Sequence, residues 1–308
     1  MTTASAPGKI ILFGEHAVVY GRPAIAAPVT QVHADVEVKD SPQHGIWIDA
    51  PDISLQAELT TLPRSHPLSA IIISTLNTLG VASRLSLAIH IHSSIPVASG
   101  LGSGAAVSVA IVRALSAHLG HPLADDQVNE LAYGTERLYH GTPSGIDNTV
   151  ITYACPVYFV KGRTIETLLV GAPFTIVIGD TGIPAPTKES VADVRRLWQA
   201  DLARWEKVFD DVGELARRAR QAIEMGDATL LGELMDLNHE LLQSLTVSNP
   251  DLDRLVHVAH STGALGAKLS GGGRGGNMIA LVRPDRAEIV ANALRAVGAK
   301  NTIITTIK

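Results

Sequence analysis

A chain of 308 residues, 46% hydrophobic and 18% charged, has the material for two packed domains and does not have the composition of a disordered chain. Its formal net charge of −5 argues against a general nucleic-acid or anionic-membrane binder, while leaving room for a local basic pocket that holds phosphates. The lone cysteine, Cys155, excludes an intrachain disulfide and fits a reducing, cytoplasmic setting. The N-terminus shows no secretory pattern, and the apolar window at 69–81 is too short to cross a bilayer, so a soluble protein is expected.

In chain order, 7–13 and 29–39 read as strands, the second alternating apolar and polar side chains. Segment 66–80 has helical periodicity and stops at Gly80. Residues 84–94 alternate as a strand that feeds a glycine loop at 98–104. A helix over 105–119 follows, with Val107, Ala110, Ile111, Ala114 and Leu115 on one face, and then a helix over 125–139 that ends before the turn GTPSG. The second half opens with a strand at 175–180 and a long charged helical region at 188–225, broken at Gly226 and Asp227. Helical periodicity returns at 228–245 and from Asp251 to about 262. A strand at 267–270 runs into GGGRGG, and strand NMIALV, a helix at 284–297 and strand NTIITTI close the chain. The texture changes near 165–175, which gives expected domains 1–170 and 171–308.

PVASGLGSGAA, residues 96–106, is a candidate phosphate cradle. Glycines let a backbone approach a triphosphate closely, and a helix that starts directly after the loop adds unpaired N–H groups and a positive dipole end. The run lacks the GK[ST] ending of a P-loop and the GxGxxG spacing of a dinucleotide fold. One such cluster can equally be a tight strand-to-helix turn. Two further runs, PGKIILFGEHAVVYG near the start and KLSGGGRGGN at 268–277, favour a site.

Together these three runs resemble the motifs of the GHMP kinase family, and ERLYHGTPSGIDN at 136–148 and LMDLNHELLQSLTVSNPDLDRL at 234–255 extend the likeness over almost the whole chain. The resemblance implies an α+β fold of two domains, an N-terminal one like a ribosomal-protein fold and a C-terminal ferredoxin-like one. It implies an ATP- and Mg²⁺-dependent kinase of a small alcohol. The form of the first motif points to the 5-hydroxyl of (R)-mevalonate, with phosphomevalonate or homoserine as rival acceptors and a non-catalytic nucleotide sensor as a different class. No membrane or nucleic-acid partner is implied, and a homodimer is expected because relatives commonly dimerise.

Residue by residue, the same resemblance places Asp147 at the substrate hydroxyl, as general base or as an orienting acceptor. It places Lys9 beside the reacting hydroxyl, where a cation neutralises developing charge. It makes Glu136 a Mg²⁺ ligand, in keeping with that ion's preference for hard oxygen donors. Pro96, Ala98, Ser99, Gly100, Leu101, Gly102, Ser103, Gly104 and Ala105 form the nucleotide cradle. Glu15, His16 and Thr187 fall near the acceptor, and Gly271, Gly272 and Gly273 wrap either phosphates or acceptor. The chain departs from the family at one point: a second serine is expected after Ser103, and Gly104 stands there. Ser103 is the substitute hydroxyl for the metal, or water completes its shell. Arg274 is left unassigned. His90 and His92 share one strand face but lack a third converging ligand, so no metal is assigned to them.

Overall fold

A computed structural model of the chain describes residues 1–81, 85–96, 99–140, 143–185 and 187–308. The fold divides into two compact units that are discontinuous in sequence. Met1–Gly8, Val32–Pro96 and Gly102–Ala154 form the first; Lys9–Gln31, Val97–Leu101 and Cys155–Lys308 form the second. A single cut at 170/171 does not describe this division. The first two strands, β1 (Thr2–Phe13) and β2 (Ala24–Asp40), are long enough that their ends fall in different units, and residues 155–170 group with the C-terminal half.

In the first unit the C-terminal part of β2 belongs to a sheet of order β4-β3-β5-β2, where β3 is Gly45–Ala50, β4 Leu55–Glu58 and β5 Ser86–Ser93. β3 and β5 run parallel; the other pairs are antiparallel. The alternation read in the sequence sets the register: Leu87, Ile89 and Ile91 are buried, and Ile89 and Ile91 oppose Val38 and Val36. Four helices pack on one another in this unit: α1 (Pro67–Thr78), α2 (Ser103–His118), α3 (Asp125–His140) and α4 (Ile146–Tyr153).

In the second unit Ala24–Ala26 of β2 pair with β6 (Val157–Phe159), which also pairs with β7 (Glu166–Thr167). A separate antiparallel sheet has the order β11-β8-β10-β9, built from β8 (Phe174–Asp180), β9 (Gly266–Ser270), β10 (Asn277–Val282) and β11 (Asn301–Ile307). Numbered within this sheet the order is 4-1-3-2. The connections are strand, helices, strand, strand, helix, strand, which is the ferredoxin-like arrangement the resemblance implies. Its helices are α5 (Thr187–Ala200), α6 (Leu202–Met225), α7 (Ala228–Ser244), α8 (Pro250–Ser261) and α9 (Ala287–Ala296). The region expected to be one helical stretch at 188–225 is two helices. Asp201 breaks it, its carboxylate accepting from the Arg204 N–H to cap α6. One apolar core, with Phe209, Val212, Leu242, Leu252, Leu269, Met278 and Leu294 fully enclosed, joins this sheet to its helices.

Candidate active site

Within the second unit, residues of all three motif runs meet. The Lys9 N–H donates to the Leu101 carbonyl at 2.9 Å, and the Ser270 hydroxyl donates to the Ile11 carbonyl at 2.8 Å. The Asn277 amide donates to the Ser99 carbonyl at 2.6 Å. The opening strand, the entry to the phosphate loop and the ends of the third glycine run thus share one hydrogen-bond network, although up to 259 residues separate its partners. Lys9 is buried inside β1, which begins at Thr2 rather than at residue 7 as expected, so it is a mid-strand residue.

Directly after β1 the chain turns sharply. The Ala17 N–H donates to the Glu15 carbonyl at 2.6 Å across His16, whose φ is 61° and ψ −49°. That is a γ-turn of the strained, positive-φ kind, a backbone state that concentrates at functional positions. Glu15 and His16 are both buried. His16 Nε2 lies 3.2 Å from the Gly272 carbonyl; a carbonyl only accepts, so Nε2 carries the proton and Nδ1 is a bare acceptor. Burial pushes the imidazole pKa down to about 4, outweighing the upward pull of the Gly272 bond, and the Arg274 charge adds to the depression. Glu15 forms a buried ion pair with Lys268. Gly272 also packs against Thr187: a Cβ at 272 would stand 2.8 Å from the Thr187 hydroxyl oxygen, so only glycine permits this approach. Glu15, His16, Thr187 and Gly272 are therefore brought together in this unit. Gly271 and Gly273 flank Gly272 with positive φ.

Arg274 does not point freely to solvent. Its guanidinium pairs with Asp193 on α5 at 2.5 Å and donates to the Thr246 carbonyl at 3.2 Å, while its N–H bonds the Val247 carbonyl at 2.7 Å. The pairing holds the Asp193 carboxyl below the usual carboxylate range, Arg274 being the main cause. Arg274 thus ties the third glycine run to the helix that Thr187 begins.

In the first unit, Gly102 has a left-handed conformation and caps α2, so the N–H groups of Ser103, Gly104 and Ala105 lie in the helix's first turn. Glu136 on α3 faces this turn: a Cβ built on Gly104 would be 3.8 Å from Glu136 Oε1. A carboxylate oxygen beside the first turn of α2, with the Ser103 hydroxyl in the same turn, offers hard oxygen donors that suit Mg²⁺, which keeps several waters and takes few protein carboxylates. Among the described residues no group of three His, Cys, Asp or Glu side chains gathers as a metal cage. Asp147 lies in the first turn of α4, behind the left-handed cap Gly145, and is half-buried. The sequence predicts a turn here and no helix; Gly145 supplies the cap that starts α4. A carboxylate there is favoured by the helix dipole. Its neighbour Asn148 is buried and donates to Asn129 Oδ1 at 2.6 Å, which anchors α4 to α3. Ser99, Gly100 and Leu101 of the expected cradle are placed in the second unit and Pro96 in the first; Ala98 lies outside the described residues.

His90 and His92 face outward and pair separately, with Asp49 at 2.9 Å and Asp52 at 3.1 Å. A concavity of about 440 Å³ beside His90, lined by Trp47, Asp49 and Lys39, contains none of the motif residues and is an open sheet face rather than a phosphate site. Sequence reading missed Lys268, Asn277, Ser270, Asn148 and Asp193. A lysine inside an apolar strand segment and an asparagine ending a glycine run were the available signals for the first two.

Residues 69–155 match the GHMP kinases N terminal domain and residues 219–300 the GHMP kinases C terminal domain. The chain belongs to the GHMP kinase family. Within that family it is similar to mevalonate kinases. It is 37% identical to the mevalonate kinase of Pyrococcus horikoshii over 96% of this chain and 92% of that protein. The crystal structure of L. major mevalonate kinase in complex with R-mevalonate superposes with a TM-score of 0.85 at 31% identity, covering 100% of this chain and 96% of that one. The Methanococcus jannaschii mevalonate kinase structure gives 0.84 at 26% identity, covering 99% and 96%.

Proposed function

We propose that this chain transfers the γ-phosphoryl group of ATP to the 5-hydroxyl of (R)-mevalonate, giving 5-phosphomevalonate and ADP in isoprenoid precursor synthesis by the mevalonate pathway. The observation that carries this reading is the full-length likeness to mevalonate kinases, joined to the meeting of all three motif runs in one hydrogen-bond network.

Phosphoryl transfer asks mainly for positioning and charge neutralisation. The first-turn N–H groups of α2 bind the phosphates, largely through backbone. Glu136, with the Ser103 hydroxyl or water, would hold Mg²⁺, which would supply positive charge to the phosphate oxygens. Asp147 orients the acceptor hydroxyl and takes its proton. The buried Lys9 ammonium stabilises negative charge that develops at the reacting oxygen. Glu15, His16 and Thr187 hold the acceptor's remaining polar groups, and Gly271, Gly272 and Gly273 let the backbone close on it.

No helix among the described residues is long and apolar enough to cross a membrane. A cytoplasmic homodimer is the assembly expected from family likeness, and light scattering would then give twice the chain mass of 32.5 kDa.

A coupled ADP-release assay with mevalonate, phosphomevalonate, homoserine and galactose tests the substrate. ADP release that depends on mevalonate and exceeds that with the other three is expected. Good turnover with another acceptor and none with mevalonate would overturn the reading.

A further inference from the structure

Lys268 sits in the middle of β9, between the fully buried Ala267 and Leu269 and opposite Ile279 in the register. An aliphatic side chain is what such a position ordinarily carries. The lysine is sealed from solvent instead, as is its partner Glu15. Burial lowers the Lys268 pKa, and the Glu15 charge works against that. Buried ion pairs are often no more stable than an apolar pair of equal volume, so stability alone does not account for this one.

The surroundings supply an account. Lys268 Nζ donates to Glu15 Oε1 and, at 2.7 Å, to the Leu269 carbonyl, so one ammonium joins the β9 backbone to the residue before the strained turn at His16. Four residues beyond Lys268, the Gly272 carbonyl accepts from His16. Glu15 and His16 are thus each tied, one by a charge and one by a hydrogen bond, to the segment that forms the third glycine run. Both ties use only half of the side chain. Glu15 Oε2 and His16 Nδ1 are buried and have no hydrogen-bond partner among the described residues. A carboxylate oxygen accepts, and Nδ1 of the Nε2–H tautomer accepts. Two buried acceptors without donors, on consecutive residues, are matched by a ligand that brings O–H groups, and each repels carboxylate or phosphate oxygens.

We propose that Lys268 is a positioning residue for the acceptor alcohol: it pins Glu15 through Oε1 so that Oε2, on the residue that precedes the His16 turn, is kept as an acceptor for a hydroxyl proton of the substrate. This rests on the mevalonate reading above. The acceptor's anionic end then binds away from the Glu15–His16 turn.

The test compares Michaelis constants of the wild type, Lys268→Met, Glu15→Gln and the double variant. The wild-type assay with mevalonate judges the substrate reading by itself, and the variants judge Lys268. Lys268→Met is expected to raise the mevalonate KM about tenfold or more while the ATP KM stays within about twofold, a split that a general loss of structure does not produce. Because Lys268 acts through Glu15, the double variant should have the mevalonate KM of Glu15→Gln alone. If Lys268→Met fails to fold with an unpaired buried carboxylate, the double variant, which carries no buried charge, still decides against Glu15→Gln. An unchanged mevalonate KM in Lys268→Met, equal changes in both Michaelis constants, or a double variant whose KM rises well beyond that of Glu15→Gln would overturn the proposal.

Discussion

His16 and Gly272 lie 256 residues apart in sequence and are joined by a hydrogen bond of 3.2 Å from the imidazole Nε2–H to the glycine carbonyl. The bond fixes the tautomer, and the burial that accompanies it fixes the charge: this histidine is neutral wherever the protein is folded near neutral pH. It also couples the first motif to the third, so either run is misplaced when the other is disturbed.

A pH dependence of stability follows. The His16 pKa falls from 6.5 to about 4 on folding, chiefly through burial. Between those values the unfolded chain binds more protons than the folded one, so stability is complete above about pH 6.5 and is lost as pH falls towards 4. For one enclosed imidazole the loss is on the order of 3 kcal/mol. His239, also lowered mainly by burial, adds in the same direction. Urea midpoints measured from pH 7.5 to 4.5 should decline in the wild type and decline less steeply in His16→Gln. Parallel curves would rule out His16 as a source of the acid limb.

The assigned chemistry predicts that Asp147→Asn and Lys9→Met each lower kcat by about two to four orders of magnitude while ATP still binds. Isothermal titration with a non-hydrolysable ATP analogue, alongside the coupled assay, separates the two effects. Near-normal turnover in both variants would remove them from the reaction.

Much of this arrangement was legible in sequence, for physical reasons that can be named. β5 declared itself by strict alternation, since one face meets the core and the other bears His90 and His92. β10 declared itself as a short apolar run because it is central and buried on both faces. β4 and β7 carry too few residues for a period to show. α4 was hidden because its signal is a glycine cap, Gly145, inside a segment already rich in turn formers. The network linking Ser99 to Asn277 and Ser270 to Ile11 is tertiary, and no local pattern encodes it. The Arg274–Asp193 pair was invisible for the same reason: a loop arginine and a helical aspartate 81 residues apart carry no shared signal.

The third glycine run offers a contrast between two neighbouring positions. A Cβ at Gly273 would stand 2.0 Å from the Val247 carbonyl oxygen, whereas one at Gly271 meets nothing within 4 Å. Both have positive φ, 72° and 87°. Gly271→Ala therefore costs only the left-handed backbone penalty, about 1–2 kcal/mol. Gly273→Ala carries that cost and also forces the loop off Val247, so its thermal midpoint should fall further and its mevalonate KM should rise. Equal stability of the two variants in differential scanning calorimetry would show that the Val247 approach is not a constraint.

The departure at Gly104 makes the metal site testable in both directions. A side chain there fits, because its Cβ would sit 3.8 Å from Glu136 Oε1, an ordinary contact, and Gly104 has an unexceptional backbone within α2. Gly104→Ser should fold normally, gain slightly in helix propensity, and place a hydroxyl beside the carboxylate. With one more hard donor, half-maximal activity should need less Mg²⁺, by a few-fold at most, since Mg²⁺ usually keeps several waters and one protein hydroxyl replaces only one of them. Glu136→Gln removes the charge and should raise the requirement by about tenfold or more. Mn²⁺ binding followed by electron paramagnetic resonance in the presence of ADP reports the same order without turnover: tightest in Gly104→Ser, then the wild type, and weakest in Glu136→Gln. If Glu136→Gln binds Mn²⁺ as the wild type does, the first turn of α2 holds phosphate without help from α3, and the carboxylate beside it is a structural neighbour only.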